Sequence, residues 1–169
     1  RGGDVYVSMN PLKPDARGRT KQDIAMVRHL YLDLDLYGSH ALAAILGDPR
    51  LPQPSYVLDT SQGKHQVVWK VDGFTAENAE RLQRAMAMAH GADRAATDGT
   101  RVLRIPGLYN RKYDPPFQVT AKKLSAAIYS PADFRIEPQT EWLPESRTAI
   151  PGQRAQRSRC EISQSERDW

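Results

Sequence analysis

Two aspartates separated by a single residue are the first groups in this sequence whose spacing could do chemistry. Asp33 and Asp35 lie in the run HLYLDLDL, residues 29–36. In a β-strand, residues i and i+2 point to the same face and lie about 7 Å apart along the chain. Two carboxylates on one face repel each other unless a cation lies between them, and Mg²⁺ and Mn²⁺ prefer oxygen ligands. The pattern favours a divalent-metal site, although a solvated polar strand face also shows such alternation.

A glycine-containing turn that leads into a strand is the second candidate. The segment SQGKHQVVW, residues 61–69, places Lys64 and His65 at the start of a predicted strand, just after Ser61. Exposed amides and small side chains in such a turn can accept a phosphate, to which Lys64 and His65 would add charge and hydrogen bonds. An ordinary hairpin with a surface histidine fits the same letters, so this turn is a weak signal by itself.

A cluster of cations with aspartates upstream is the most distinctive element. Residues 93–112 read DRAATDGTRVLRIPGLYNRK. Arginine binds phosphate oxygens through paired hydrogen bonds and lysine acts as a point charge, so a triphosphate beside a metal would need such a cluster. The alternative is a set of surface salt bridges, but PG and NRK impose a shaped turn that solubility alone does not require. The cations that surround this turn are Arg101, Arg104, Arg111 and Lys112.

Strands and helices must position these residues. Alternation and β-branched residues predict strands at 4–9, 29–36, 55–59, 65–71, 101–105 and 117–122, the third and fourth forming a hairpin. Helical spacing predicts helices at 40–46 and 76–90, a helical turn at 21–27 and a short helix near Pro131. In strand 29–36, the four leucines are predicted to face the core, opposite Tyr31 and the two aspartates. The order predicts an α+β, RRM-like fold with a largely antiparallel sheet and helices packed on one face.

Length and composition bound the remaining possibilities. The chain has 169 residues, which predicts one catalytic domain over 1–138 and a polar linker or the start of a C-terminal segment over 139–169. Because it begins with Arg1 rather than Met, we expect a piece of a longer polypeptide. A net charge of +4 permits a polyanionic partner without requiring one. Cys160 is the only cysteine, which excludes a disulfide framework and makes the cytoplasm the default location. No apolar run approaches the roughly 20 residues of a membrane span, so no membrane partner is expected.

Together the three motifs resemble those of the archaeo-eukaryotic primases and primase-polymerases, most closely the RepB-type primases of plasmids and mobile elements. The resemblance covers residues 4–125 and rests on LYLDLD, SQGKHQVVW and RVLRIPG with NRK; the closing SQSERDW is also similar. It implies a nucleotidyltransferase that makes short primers on single-stranded DNA by two-metal phosphoryl transfer, with Mg²⁺ or Mn²⁺ as cofactor. The implied partners are a single-stranded DNA template and nucleoside triphosphates, with a helicase or another replication protein as a further candidate.

The same resemblance implies roles for individual residues. Asp33 and Asp35 would be catalytic metal ligands. The third carboxylate would be Asp93, which lies eleven residues before Arg104, with Asp98, six residues before it, as the alternative. The residues that would contact the phosphates of the nucleotide or template are Ser61, Lys64, His65, Arg101, Arg104 and Lys112.

Three other functions stay open at the level of sequence. A non-catalytic, RRM-like module that binds single-stranded nucleic acid is the main one, but such modules carry aromatic residues where this chain has Asp33 and Asp35. A relaxase would need clustered histidines, and the four present are scattered. A two-metal nuclease shares the carboxylates and has less need of the cations. The aromatic candidates for base stacking are Tyr31, Trp69, Tyr109 and Tyr113, and the basic candidates for following a template are Lys13, Arg17, Arg19 and Lys21.

Overall fold

The computed structural model describes residues 3–137, which form eight strands, two α-helices and three single 3-10 turns. The strands are β1 (Tyr6–Ser8), β2 (His29–Leu34), β3 (Tyr56–Ser61), β4 (Lys64–Lys70), β5 (Val102–Arg104), β6 (Tyr109–Asn110), β7 (Phe117–Gln118) and β8 (Thr120–Lys123). The helices are α1 (Gly38–Gly47) and α2 (Ala76–His90), and the 3-10 turns are Lys21–Asp23, Arg94–Ala96 and Pro131–Asp133. The predicted segment 139–169, with Cys160 and SQSERDW, lies outside the described residues.

The central sheet has four strands in the order β2-β4-β3-β8, and every neighbouring pair is antiparallel. Both helices pack on one face of it, because that face is apolar. The side chains of Leu30, Leu32 and Leu34 join residues of both helices, such as Ile45 and Met86, in the main core. The predicted α+β class, with a largely antiparallel sheet and helices on one face, is therefore confirmed.

The opposite face of the sheet is covered in part by a two-stranded ribbon of β1 and β5. Leu103 of β5 packs with Tyr31 and Val68 in a second, smaller core. As a result Tyr31 is only 1% exposed. Trp69 lies in the main core on the helix side and is 0% exposed. Two of the four aromatic candidates are therefore buried and cannot stack on bases.

Two predicted strands end differently in the structure. β2 stops at Leu34, and Leu36, predicted to be buried, is 76% exposed, because the chain turns at Tyr37 to begin α1. Tyr37 makes this turn with a φ of 51°, in the left-handed region. The predicted strand 117–122 is split at the buried Val119, where β7 ends its pairing with β6 and β8 begins pairing with β3.

The helix and hairpin that frame the site follow the sequence signals closely. Helix α2 matches the predicted range 76–90; the Thr75 hydroxyl caps it by accepting from the Asn78 N–H at 3.1 Å, and Gly91 ends it with a φ of 67°. Strands β3 and β4 form the predicted hairpin, with Gly63 at a φ of 68° in the turn. Within residues 3–137, no helix is long and apolar enough to cross a membrane.

Candidate active site

The register between β2 and β4 decides which site residues share a face. Asp33 is paired with Gln66, and Leu34 is paired with His65. Residues directly opposite each other on neighbouring strands point to the same side of a sheet. Gln66 therefore lies with Asp33 on the face away from the helices, whereas His65 lies with Leu34 on the helix side.

Asp33 is at the centre of the acidic group. Its carboxyl is half-buried, and burial raises its pKa, helped by the negative charges of Asp35 and Asp93. Asp93 is brought to this place by the main chain, because its N–H donates to the carbonyl oxygen of Asp33 at 2.9 Å. The structure thus places the main chain of Asp93 beside Asp33, and the charges of Asp35 and Asp93 act on the Asp33 carboxyl. Their joint role as metal ligands stays a prediction.

Asp98, the alternative third acid, has other partners. Its carboxylate accepts a hydrogen bond from the Thr100 N–H at 2.9 Å and forms an ion pair of 3.0 Å with Arg101. Burial raises the pKa of Asp98, but the Thr100 hydrogen bonds and the charge of Arg101 outweigh it and leave the pKa lowered. Asp93 is among the charges that raise the pKa of Asp33, whereas Asp98 is paired with Arg101. The choice of Asp93 over Asp98 as the third carboxylate stays a prediction.

The chemistry of these acids suits a divalent cation, since carboxylate oxygens are the ligands that Mg²⁺ and Mn²⁺ prefer. Burial and the charges of Asp35 and Asp93 raise the pKa of Asp33, and the nearby charge of Lys64 lowers it by less. Asp35 is turned to Lys64, at 3.0 Å between Nζ and Oδ1. In the described part of the chain, no three acidic, histidine or cysteine side chains are gathered round one point. The residues therefore fit a cation in donor type and charge, and Asp35 would have to leave Lys64 to join.

A pocket of about 230 Å³ opens beside Asp33 and Asp93. Arg101 lines it, although its guanidinium is paired with Asp98. Arg19, which the sequence offered only as a template contact, lines it too. The lining thus combines two aspartates with two arginines, residue types that hold a metal and phosphate oxygens, and the phosphate role of Arg101 stays a prediction.

On the other side of Asp35, the hairpin turn and the NRK turn meet. The hydroxyls of Ser61 and Tyr113 lie 3.4 Å apart. The hydrogen bond with Ser61 and the nearby positive charges of Lys64 and Lys112 lower the pKa of Tyr113. Four of the polar groups at this meeting point were predicted or considered from the sequence, and the structure brings them to the same side of the acidic group.

His65 contacts other residues than the acidic group. Its Nδ1 contacts Asp59 Oδ1 at 2.7 Å and its Nε2 contacts the Ser39 hydroxyl at 3.1 Å. Ser39 belongs to the first turn of α1, which is pressed against the hairpin: a Cβ on Gly38 would lie 2.3 Å from the Gly63 carbonyl oxygen. His65 thus contacts Asp59 rather than Asp33, Asp35 or Asp93, and its predicted phosphate contact stays a prediction.

Arg104 also lies apart from the pocket within the described residues. Its guanidinium pairs with Asp4 at 3.1 Å and lies 4.9 Å above the ring centre of Tyr6. Asp4 in addition accepts the Arg111 N–H at 2.9 Å, so this one carboxylate ties the RVLR strand to the NRK turn. These contacts describe a residue that holds β1, β5 and the turn together, while a role in phosphate binding stays a prediction.

Comparisons with known proteins identify the family of the chain. The sequence profile of the RepB DNA-primase N-terminal domain matches residues 1–123, more than half of the chain. The chain belongs to this family. A replication protein of Clostridium perfringens is 27% identical to this RepB-type domain over 124 residues, a match that covers 64% of the chain and 30% of that protein. The chain thus spans less than a third of the length of that relative.

Solved structures place the RepB-type domain among archaeo-eukaryotic primase folds. The primase-polymerase domain of cyanophage S-2L superposes with a TM-score of 0.60 at 18% identity, covering 76% of this chain and 66% of that one. The primase RepB′ superposes with a TM-score of 0.54 at 24% identity, over 64% and 39% of the two chains. The catalytic domain of RepB′ in complex with initiator DNA has a TM-score of 0.52 and 26% identity, over 63% and 56%.

Sequence reasoning missed several residues of the RepB-type site. Gln66 was treated as an ordinary strand residue, although its place one position after His65 puts it on the opposite face by simple alternation. Asn110 is buried and donates to the Thr60 carbonyl oxygen at 2.8 Å, which explains the NRK turn as an anchor to the hairpin. Asp4 gave no signal, because its partners Arg104 and Arg111 lie far away in the sequence. Asp59 lies only six residues before its partner His65, but their contact depends on the pairing of the hairpin strands.

Proposed function

We propose that this RepB-type domain is the nucleotidyltransferase part of a DNA primase, which makes short primers on single-stranded DNA for the replication of a plasmid or mobile element. The observation that carries the proposal is a pocket lined by Asp33, Asp93 and Arg101, with the charge of Asp35 acting on the Asp33 carboxyl. Family membership supports primase chemistry rather than simple binding.

In this proposal the three aspartates hold Mg²⁺ or Mn²⁺, which when bound supplies positive charge to the phosphoryl oxygens. Arg101 and Arg19 hold the triphosphate in the pocket, with Lys64 and Lys112 on the other side of Asp35. The chain itself forms no covalent bond to the substrate; it orients the reacting groups and stabilises negative charge. Lys64 exchanges its partner Asp35 for a phosphate when the nucleotide arrives.

The polymer substrate is proposed to be DNA. A neighbour at 26% identity was solved as a catalytic domain with initiator DNA, which supports a DNA template for this chain. The rival reading, an RRM-like binding module, needs aromatic side chains exposed on the central strands. Tyr31 and Trp69 are buried, so that reading has no support from the two strands that would carry it.

The test is primer synthesis on a single-stranded DNA template, with labelled nucleotides and with Mg²⁺ or Mn²⁺. The chain is compared with the double variant Asp33→Ala/Asp35→Ala, with Asp93→Asn and with Asp98→Asn. We expect short products from the unaltered chain, none from the double variant, and a far larger loss for Asp93→Asn than for Asp98→Asn.

The outcomes separate the alternatives. If Asp98→Asn abolishes synthesis while Asp93→Asn does not, the third carboxylate has been misassigned. Since the chain spans less than a third of the replication protein of Clostridium perfringens, that protein is assayed in parallel as the reference. No product from either protein, and no metal-dependent binding of nucleotide, would overturn the primase proposal.

A further inference from the structure

Gln66 is a buried polar residue whose hydrogen bonds are incomplete. It is 7% exposed, on the central strand β4, directly opposite Asp33. Its Nε2 lies 3.5 Å from Asp33 Oδ2, the long limit of a hydrogen bond, and its Oε1 has no partner within the described residues. The orientation of the amide follows from chemistry, because a carboxylate only accepts and must face the NH₂ group.

The other neighbours of Gln66 do not explain why the side chain is polar. Across the hairpin, its partner on β3 is Leu58. Two residues further along β4, Val68 packs in the small core with Tyr31 and Leu58. Leucine or methionine would fill this space without leaving a buried acceptor unpaired, which is a costly state for a polar atom. A glutamine at this position is therefore costly for the fold alone.

We propose that Gln66 is a positioning residue of the acidic site, whose amide nitrogen contacts the protein and whose amide oxygen contacts the ligand. Nε2–H fixes the carboxylate of Asp33, and Oε1 accepts a hydrogen bond from a water molecule bound to the divalent cation. This inference rests on the proposed function, because that function supplies the cation. Mg²⁺ retains several of its waters when it binds to carboxylates, and those waters need acceptors.

The adjacent residue cannot take this role. His65 points to the helix side of the sheet, where Asp59 and Ser39 contact both of its ring nitrogens. Of the β4 side chains, Gln66 and Lys64 are the polar ones on the face of Asp33 near the acidic group, and Lys64 is a donor only. Gln66 alone on this part of the strand offers an acceptor.

The test is the affinity for Mn²⁺, measured from the electron paramagnetic resonance signal of the free ion, without nucleotide or template. The chain is compared with Gln66→Leu, with Gln66→Met as a second apolar variant, and with Asp33→Asn as the variant without a site. Thr60→Val is the matched control, because Thr60 is equally buried at 7% in the same hairpin and its hydroxyl contacts the Lys64 carbonyl oxygen rather than Asp33.

We expect the Gln66 variants to bind Mn²⁺ about 10- to 100-fold more weakly, the loss typical of residues that orient metal ligands. Their thermal midpoint should stay at or above that of the unaltered chain, since the unpaired acceptor is gone, whereas Thr60→Val should keep its Mn²⁺ affinity. Unchanged affinity in both Gln66 variants would overturn the inference and leave the primase proposal standing. Binding by the unaltered chain no better than by Asp33→Asn would overturn both.

Discussion

Two adjacent residues of β4 belong to two different environments. His65, on the helix side, has both ring nitrogens in contact with partners, Asp59 and Ser39. Gln66, on the acidic side, has one long hydrogen bond and one unpaired acceptor. The contacts of His65 within the protein explain why a polar residue is present there. A buried polar atom without a hydrogen bond among the described residues, such as Gln66 Oε1, indicates a missing ligand, so the comparison favours the face of Asp33 as the ligand-binding face.

The comparison is tested most strongly by one acid on each side of the sheet. Asp33→Asn should lower the rate of primer synthesis by roughly 10²–10³-fold, the scale seen when one electrostatic contact to a transition state is lost. Asp59→Asn, which alters the partner of His65, should cost far less, because Asp59 lies on the helix side of the sheet and contacts His65 rather than the acidic group. Initial rates of primer synthesis measure both. Equal losses would mean that the helix side takes part in the reaction as directly as the acidic side.

Two arginines of the RVLR strand offer a second comparison. Arg101 lines the pocket, so Arg101→Ala should raise the KM for nucleotide by about 10-fold, the value of one charged hydrogen bond. Arg104→Ala removes the ion pair with Asp4 and the contact with Tyr6, and should lower the thermal midpoint instead. Steady-state kinetics and thermal unfolding of both variants separate these effects. If Arg104→Ala raised the KM for nucleotide and Arg101→Ala lowered only the thermal midpoint, Arg104 rather than Arg101 would be the phosphate-binding residue.

The two glycines of α1 provide a third, purely structural comparison. Gly38→Ala places a Cβ 2.3 Å from the Gly63 carbonyl oxygen, so it should destabilise the fold by about 1–3 kcal/mol, as overpacking does. Gly47→Ala, with no atom within 4 Å of the added Cβ, should stabilise it by about 0.5–1 kcal/mol. Urea unfolding measures both. A neutral Gly38→Ala would show that the contact between α1 and the hairpin turn is loose.

The smallest effect concerns pH. Because the pKa of Asp33 is raised in the fold above its ordinary 3.8, the folded chain holds this proton more tightly than the unfolded chain does. The stabilisation is fully present below pH 3.8 and is lost as the pH rises through the raised value. Asp33→Asn should therefore have the higher thermal midpoint at pH 7.5, with the difference shrinking toward pH 3.5, and Mn²⁺ should stabilise only the unaltered chain. The exposed acid Asp72, changed to Asn, is the control.

Much of the fold could be predicted from local signals. The range of α2 followed from Thr75, its apolar spacing and Gly91, and the hairpin followed from a turn that needs a positive φ at Gly63. The end of β2 could not be predicted, because the alternation of apolar and polar residues continues to Leu36 although the strand ends at Leu34. Tyr37 turns there with a φ of 51°, and residues of this type carry no signal for that conformation.

Strand geometry predicted a common orientation for Asp33 and Asp35, which are two positions apart. In the structure β2 ends at Leu34, so Asp35 lies just beyond the strand and the common orientation stays a prediction. The place of His65 depended on the register of β4 against β2, which links residues 31 positions apart and flips every side chain if it shifts by one. The segment SQGKH predicted the hairpin turn correctly. Only the pairing of β4 with β2 showed that Gln66, the residue after His65, lies on the face of Asp33.

The hydrogen bond between Asp93 and Asp33 couples the position of helix α2 to the acidic group. Helix α2 has 15 residues, so it is about 22 Å long, and three residues after its end the Asp93 N–H is fastened to the Asp33 carbonyl oxygen. A tilt of only about 3° about the far end would carry the near end by roughly 1 Å, and errors of that size in a reacting site can cost on the order of 100-fold in rate. A small rotation of α2 would therefore move the main chain of Asp93, and with it Asp33, without any direct contact with their carboxylates.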